Sequence, residues 1–325
     1  MGPFESPVVL EAIPAGVEWE FGGHPYGLEP LALPAQWLPR TAVDPAPIEE
    51  LRARLTHTQP ASVSHLCPDG ADEIDRLFWF RWITAHQTTF LLWQLLAAIE
   101  QESHDGSAEP DDLAAQARLL VCGYSLMLMY ASSAPLEIYE RVIRMPMARQ
   151  HVNLSGAWAR DYAPVRALVR GKVALGSGAA MAALQRECEL NDEVHEGIQD
   201  RLLPEGVSLL RSPKPKGGRQ MHRNSLVWLY DGIFLTSRAA VSHREVARQL
   251  VRRLQAVFLD VTANGLHPSF APGMHEDPPR LRTPELNQRK SDLTDYVLQL
   301  LSIVGTPARS DHASTIVRFA PPPES

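Results

Sequence analysis

Cysteine is scarce in this sequence: Cys67, Cys122 and Cys188 are the only three in 325 residues, and no two of them form a C-x-x-C pair. A disulfide framework and a thiolate zinc site are not indicated, and a reducing cytoplasm is the expected location. Positive charge is short as well. Lysine and arginine total 31 against 38 aspartate and glutamate, a net charge of -7, whereas nucleic-acid binding needs a concentrated cationic excess, so no nucleic-acid partner is expected. Basic residues do gather at 214–223 and 244–253, and the second patch reads as the solvated face of a helix. Long hydrophobic runs are missing. The longest, 119–131, contains Cys122, Gly123 and Ser125 and is too short to span a bilayer, so it reads as a buried helix with no membrane partner. The opening MGPFESPVVLEAIPAG lacks a basic segment followed by an apolar one, so no secretion leader is expected. Absent too are G-x-G-x-x-G, Walker, H-E-x-x-H and G-x-S-x-G motifs, which removes the usual support for nucleotide, zinc-protease and serine-hydrolase readings.

With 45% hydrophobic and 21% charged residues the chain can bury a substantial core, as one large domain or two closely packed ones. Residues 1–46 are rich in proline and glycine and read as an extended arm wrapped on the body. Helical periodicity then dominates, predicting helices over 47–55, 71–101, 110–130, 136–145, 158–169, 178–203, 224–235, 242–263 and 284–304. Breakers stand at Pro135, Pro146, Gly171, Pro204, Gly217-Gly218 and His267-Pro268. The expectation is an all-α helical domain over 47–310 followed by a tail at 311–325, in which 314–319 alone suggests a strand.

What stands out is histidine on apolar helical faces. Trp79, Trp82, Ile83, His86, Phe90 and Trp93 fall on one stripe, mostly in steps of three or four residues. Met181, Leu184, Cys188, Asn191, His195, Ile198 and Leu202 fall on another, so His195 is expected to point toward the core from an otherwise acidic helix. A lone histidine on such a face is more often a hydrogen-bonded core residue than a ligand or catalyst. Two inward histidines on separate helices suit a heme pocket or another metal site. No E-x-x-H arrangement accompanies them, because Glu193 and His195 are two apart and do not share a face, so a di-iron site is disfavoured.

Segment 72–100, DEIDRLFWFRWITAHQTTFLLWQLLAAIE, resembles the distal-histidine helix of tryptophan 2,3-dioxygenases. That resemblance implies a distal, catalytic role for His86 and a substrate-facing one for Trp82. Segment 153–160, NLSGAWAR, is similar to the family stretch whose last arginine pairs with the substrate carboxylate, which implies that role for Arg160, with Arg144 and Arg149 as reserves. The residues alone read Arg160 equally well as a surface ion pair. From His195 the chain reads HEGIQDRLLP, and a Gly217-Gly218 loop follows. The resemblance implies that His195 is the proximal iron ligand and that Gly217 and Gly218 close over the substrate. His222, on one helical face with Leu226, Leu229 and Ile233, is the reserve ligand. The sequence departs from the dioxygenases in its loop, KPKGGRQMHRN, and in its short interval between Arg160 and His195.

The stretch EWEFGGHPYGLEPLALPAQW and the overall size resemble instead the heme-dependent tyrosine hydroxylases of antibiotic and other natural-product pathways. This resemblance implies a tryptophan-dioxygenase-like helical bundle around heme b. It implies hydroxylation of L-tyrosine at the ring 3-position to L-DOPA, with hydrogen peroxide as co-substrate. A tryptophan or indole oxygenase and a non-catalytic heme sensor are the alternatives, and a homo-oligomer is left open.

Overall fold

Apolar residues spaced by three and four become helices nearly wherever the sequence carries them, and the architecture is all-α, as expected. The computed structural model describes residues 20–21, 24–25, 28–106, 108–151, 154, 156–203, 223–271 and 277–304. Helix α1 spans Ala46–Thr56, α2 Ala71–Asp105 and α3 Pro110–Ala131. Leu136–Ile138 and Met145–Gln150 flank a π-helical stretch, Tyr139–Arg144, and the three together form α4. Then follow α5 Tyr162–Val169, α6 Gly178–Leu202, α7 Arg223–Ile233, α8 His243–Asn264, α9 Pro284–Ser291 and α10 Leu293–Val304.

The ends are chemically marked. Pro110 opens α3 with Asp111 and Asp112 in its first turn, where carboxylates complement the helix dipole. Ser242 and Glu245 form a reciprocal capping box on α8, and Gly106 closes α2 in the left-handed conformation at φ 60°. Of the boundaries that differ from the sequence expectation, two have a local cause. Pro146 does not stop its helix, because it enters at the first turn of an α segment, where its missing N–H leaves no bond unmade after the π stretch. The span 284–304 is not continuous, because Asp292 caps α9 through its N–H to the Gln288 carbonyl before α10 begins.

Strands β1 Glu20–Phe21 and β2 His24–Pro25 pair antiparallel, while β3 Leu31–Leu33 runs parallel to β4 Thr236–Arg238. Leu31, Ala32 and Leu33, within the stretch read as an arm, are fully buried. The Gln249 side chain from α8 accepts from the Ala32 N–H and donates to the Ala32 carbonyl, both at 2.8 Å. Helix α3 lies between α2 and α6, with α10 also packed on it. By length and hydropathy α3 could cross a membrane, yet 72% of its most apolar window is buried in this protein, so it is the central core helix. A Cβ at Gly123 would meet Leu300 at 2.9 Å, which shows how closely α10 approaches.

Buried charges tie these helices together. Arg81 on α2 uses all its donors: Nε and Nη2 to Asp260 of α8, and the others to Ser133 Oγ and the carbonyls of Gly265 and Leu266. Arg253, read from sequence as part of a solvated face, is instead fully buried and donates to Gln87 and to the Glu29 carbonyl. The cause is tertiary, since α2 and Glu29, just before β3, meet that side of α8 and supply the acceptors. The suggested strand at 314–319, together with Gly217, Gly218 and His222, lies outside the described residues.

Candidate active site

The apolar stripe of α2, the end of α3 and one face of α6 converge on a cavity of about 250 Å³. Helix α2 contributes Trp82, Ala85, His86, Thr89 and Trp93, which recur at helical spacing because only one side of α2 faces this space. Across from them α6 contributes His195, Ile198, Gln199 and Leu202, while Tyr124 from α3, Tyr139 from α4 and Tyr230 from α7 complete an aromatic wall. The structure therefore brings His86, Trp82 and His195 onto one cavity.

His86 is held in one tautomer. Its Nδ1 lies 2.7 Å from the Trp82 carbonyl oxygen. A carbonyl can only accept, so Nδ1 carries the proton and Nε2 keeps the lone pair. The imidazole stacks on Phe234 at 4.4 Å between centroids and 13° between planes, with the Trp82 ring at 4.2 Å on its flank. Burial among these rings pushes its pKa down to about 4, so the ring is neutral at pH 7. The sign of the resulting pH dependence follows directly. Between about 4 and the ordinary 6.5 the unfolded chain binds the proton that the folded one refuses, so stability rises with pH in that window and is flat above it. We expect acidification from pH 6.5 to 4 to cost up to roughly 3 kcal/mol through His86. Urea midpoints of wild type and His86→Gln across that range check it, and equal slopes in the two proteins would contradict it.

His195 sits differently from expectation. The buried side of α6 is formed by Leu184, Cys188, Leu190, Asn191, Val194, Gly197 and Leu202, and His195 is exposed at its edge, where it lines the cavity. The buried arc is turned because α6 packs on α3 and also on the 3₁₀ turn Pro279–Leu281, whose Leu281 comes within 2.6 Å of where a Gly197 Cβ would be. Desolvation lowers the His195 pKa against the opposing pull of Asp192 and Glu196, favouring the neutral, metal-binding form of the ring. The Gln199 side-chain amide meets His195 Nδ1 at 2.9 Å. With the Gln199 amide turned so that Oε1 accepts from Nδ1–H, the Nε2 lone pair is left for a ligand bond, the usual way a neighbouring group orients a metal-binding histidine.

These residues fit an iron porphyrin on two grounds. A neutral imidazole with its second nitrogen already engaged is a suitable axial ligand. The indole N–H groups of Trp82 and Trp93, both on the cavity wall, are buried without an acceptor, as expected of donors that await a ligand. The tyrosines stay protonated, burial pushing Tyr139 up to about 12 and raising Tyr124 and Tyr230 strongly.

Arg160 is not on this wall. It lines a neighbouring pocket with Trp158, Asn224 and the exposed Trp228, its guanidinium 5.8 Å from the Trp228 ring centre. The two spaces adjoin along the segment from Gly156, which lines the first, to Ala157–Arg160, which lines the second. Of the reserves, Arg144 pairs with Glu140 at 2.5 Å and Arg149 is exposed. Sequence reasoning missed the brace behind both spaces. Arg238 of β4 binds Asp231 through Nε and Nη2 and Asp161 through Nη1 and Nη2, while Gln94 also donates to Asp161, tying α7 to the segment after Arg160. Nothing periodic marks Arg238. Gln199 was missed too, although its place one helical turn after His195 is a signal that could have found it.

Residues 31–190 match the family model described as SfmD 3-methyl-L-tyrosine peroxygenase. The match takes in His86, Trp82, Trp93 and Arg160 and ends just before His195. No curated protein matches the chain.

Proposed function

We propose, from the premise that this chain belongs through residues 31–190 to the SfmD 3-methyl-L-tyrosine peroxygenase family, that it is a heme-dependent hydroxylase of L-tyrosine. The reaction converts the ring C3–H of tyrosine and one hydrogen peroxide into L-DOPA and water, in the service of natural-product synthesis. The observation that carries this reading is the placement of His86 and His195, from separate helices, on one aromatic-walled cavity. We also place the fold, on the sequence resemblance, in the tryptophan-dioxygenase superfamily.

Heme b, when bound, supplies the oxidising chemistry. The chain's own residues do the rest. His195 holds the iron through Nε2, oriented by Gln199. His86, with its Nδ1 proton committed to the Trp82 carbonyl, offers Nε2 as the acceptor for a proton from peroxide or from the substrate phenol. The indole N–H groups of Trp82 and Trp93 donate to polar atoms brought into the cavity, and the aromatic wall packs the substrate ring and excludes water. Arg160, beside Trp228, receives the amino-acid carboxylate where the two spaces adjoin.

The test is to load purified protein with heme, add peroxide and L-tyrosine, and measure L-DOPA per heme. Turnover of tryptophan or indole in its place would move the enzyme to the oxygenase alternative, and a heme-loaded protein that turns over neither would be a sensor. Arg160→Leu is expected to weaken tyrosine binding by roughly ten- to a hundredfold while heme is retained, since charge-assisted bonds to a carboxylate are worth about 1.5–3 kcal/mol. The substrate-induced shift of the heme spectrum gives the dissociation constant, and an unchanged value would move the carboxylate to another guanidinium.

A further inference from the structure

A second cavity, of about 320 Å³, lies by the C-terminal ends of α3 and α6. It is lined by Ser133 to Leu136 between α3 and α4, by Arg201 in the last turn of α6, and by His267 and Asp277. Chain neighbours line the two cavities, Ser132 one and Ser133 the other, Leu202 one and Arg201 the other, so the two spaces lie on adjacent sides of the same helix ends.

Arg201 is the unexplained group here. Its side chain is only 8% exposed, and Nη1 donates to Asp277 Oδ1 at 2.7 Å. Nε and Nη2 are buried and meet no acceptor. That pair is the edge of a guanidinium that grips a carboxylate with two parallel bonds. The same chain uses this edge elsewhere: Nε and Nη2 of Arg40 bind Glu102, those of Arg81 bind Asp260, and those of Arg238 bind Asp231. Asp277 cannot balance the local charge alone, because its other oxygen receives Lys290 Nζ at 2.6 Å. Burial holds the Arg201 guanidinium below its ordinary range, and it holds His267 at about 4, so His267 is neutral and Asp277 faces the two cations Arg201 and Lys290.

We infer that the Arg201 cavity is a carboxylate-binding site, whose occupant is a carboxylate of a ligand seated in the adjoining His86–His195 cavity. The inference rests on the reading of that first cavity as the heme and amino-acid site. Two sources share this chemistry, a propionate of the porphyrin and the carboxylate of the amino-acid substrate, which in that case binds Arg201 in place of Arg160. In either case the ligand's two oxygens accept from Nε and Nη2 of Arg201, completing the donors that the protein leaves unmet.

The test compares wild type, Arg201→Gln and Arg201→Lys in two titrations: hemin against hemin dimethyl ester followed at the Soret band, and, on heme-loaded protein, L-tyrosine against tyramine. If the occupant is a propionate, wild type prefers hemin over its ester by on the order of 10- to 100-fold, Arg201→Gln loses that preference, and Arg201→Lys keeps part of it. If the occupant is the substrate, the same pattern appears between tyrosine and tyramine. The inference is overturned if wild type discriminates neither pair, or if a folded Arg201→Gln protein, checked by circular dichroism and thermal midpoint, discriminates as well as wild type. Should Arg201→Gln fail to fold, the wild-type preferences and their change in Arg201→Lys decide it. Failure of the underlying reading looks different, as no Soret band with either porphyrin, and it would take this inference down with it.

Discussion

Replacing His195 with alanine is expected to abolish the histidine-ligated heme spectrum, and added imidazole is expected to restore it. His195 has the features an axial ligand needs: a ring favoured in its neutral form, an Nδ1 engaged by Gln199, and a place on the wall of an aromatic cavity. Its exposure at the cavity edge also explains why imidazole should enter the space the mutation leaves. The only other histidine on that wall, among the described residues, is His86, whose ring is clamped between Phe234 and the Trp82 carbonyl. The decisive comparison is with His222→Ala. An unchanged spectrum in His195→Ala, with loss in His222→Ala, would transfer the ligand role to His222.

His86→Asn is expected to keep heme and lose hydroxylation. The fall should be on the order of 10² to 10⁴ in L-DOPA formed per heme, the usual contribution of a positioned acid-base group. The geometry motivates this, because the Nδ1 proton is fixed on a backbone carbonyl and Nε2 is left as an acceptor on the wall of the cavity. Asparagine keeps a polar group there but cannot take up a proton at neutral pH. Thermal midpoint measured beside turnover separates the roles. A destabilised variant with full turnover per heme would make His86 a packing residue.

Much of this was legible in the sequence, and particular residues show why. The stripe from Trp82 to Trp93 placed His86 on the correct face of α2, because side chains three and four apart must share a side of a helix. The same rule put His195 too deep, because periodicity identifies a face but not what will cover it. The turn Pro279–Leu281 covers α6 at Gly197, and His195 is left at the rim. Arg253 failed for the same reason, a charge in a basic run that finds buried acceptors on β3's flank and α2. Arg160 carried a motif, yet its position in an adjoining pocket could not be read from that motif.

The sequence by itself determined the all-α class, most helix boundaries and the helical face carrying His86, since periodicity, capping residues and proline act between near neighbours in the chain. Only the tertiary structure decided that the two histidines share one cavity, that Arg238 braces its wall, and that one edge of Arg201 is left without a partner. Each of these depends on the packing of α3 between α2 and α6 and on the charges that packing buries, which join residues far apart in the sequence.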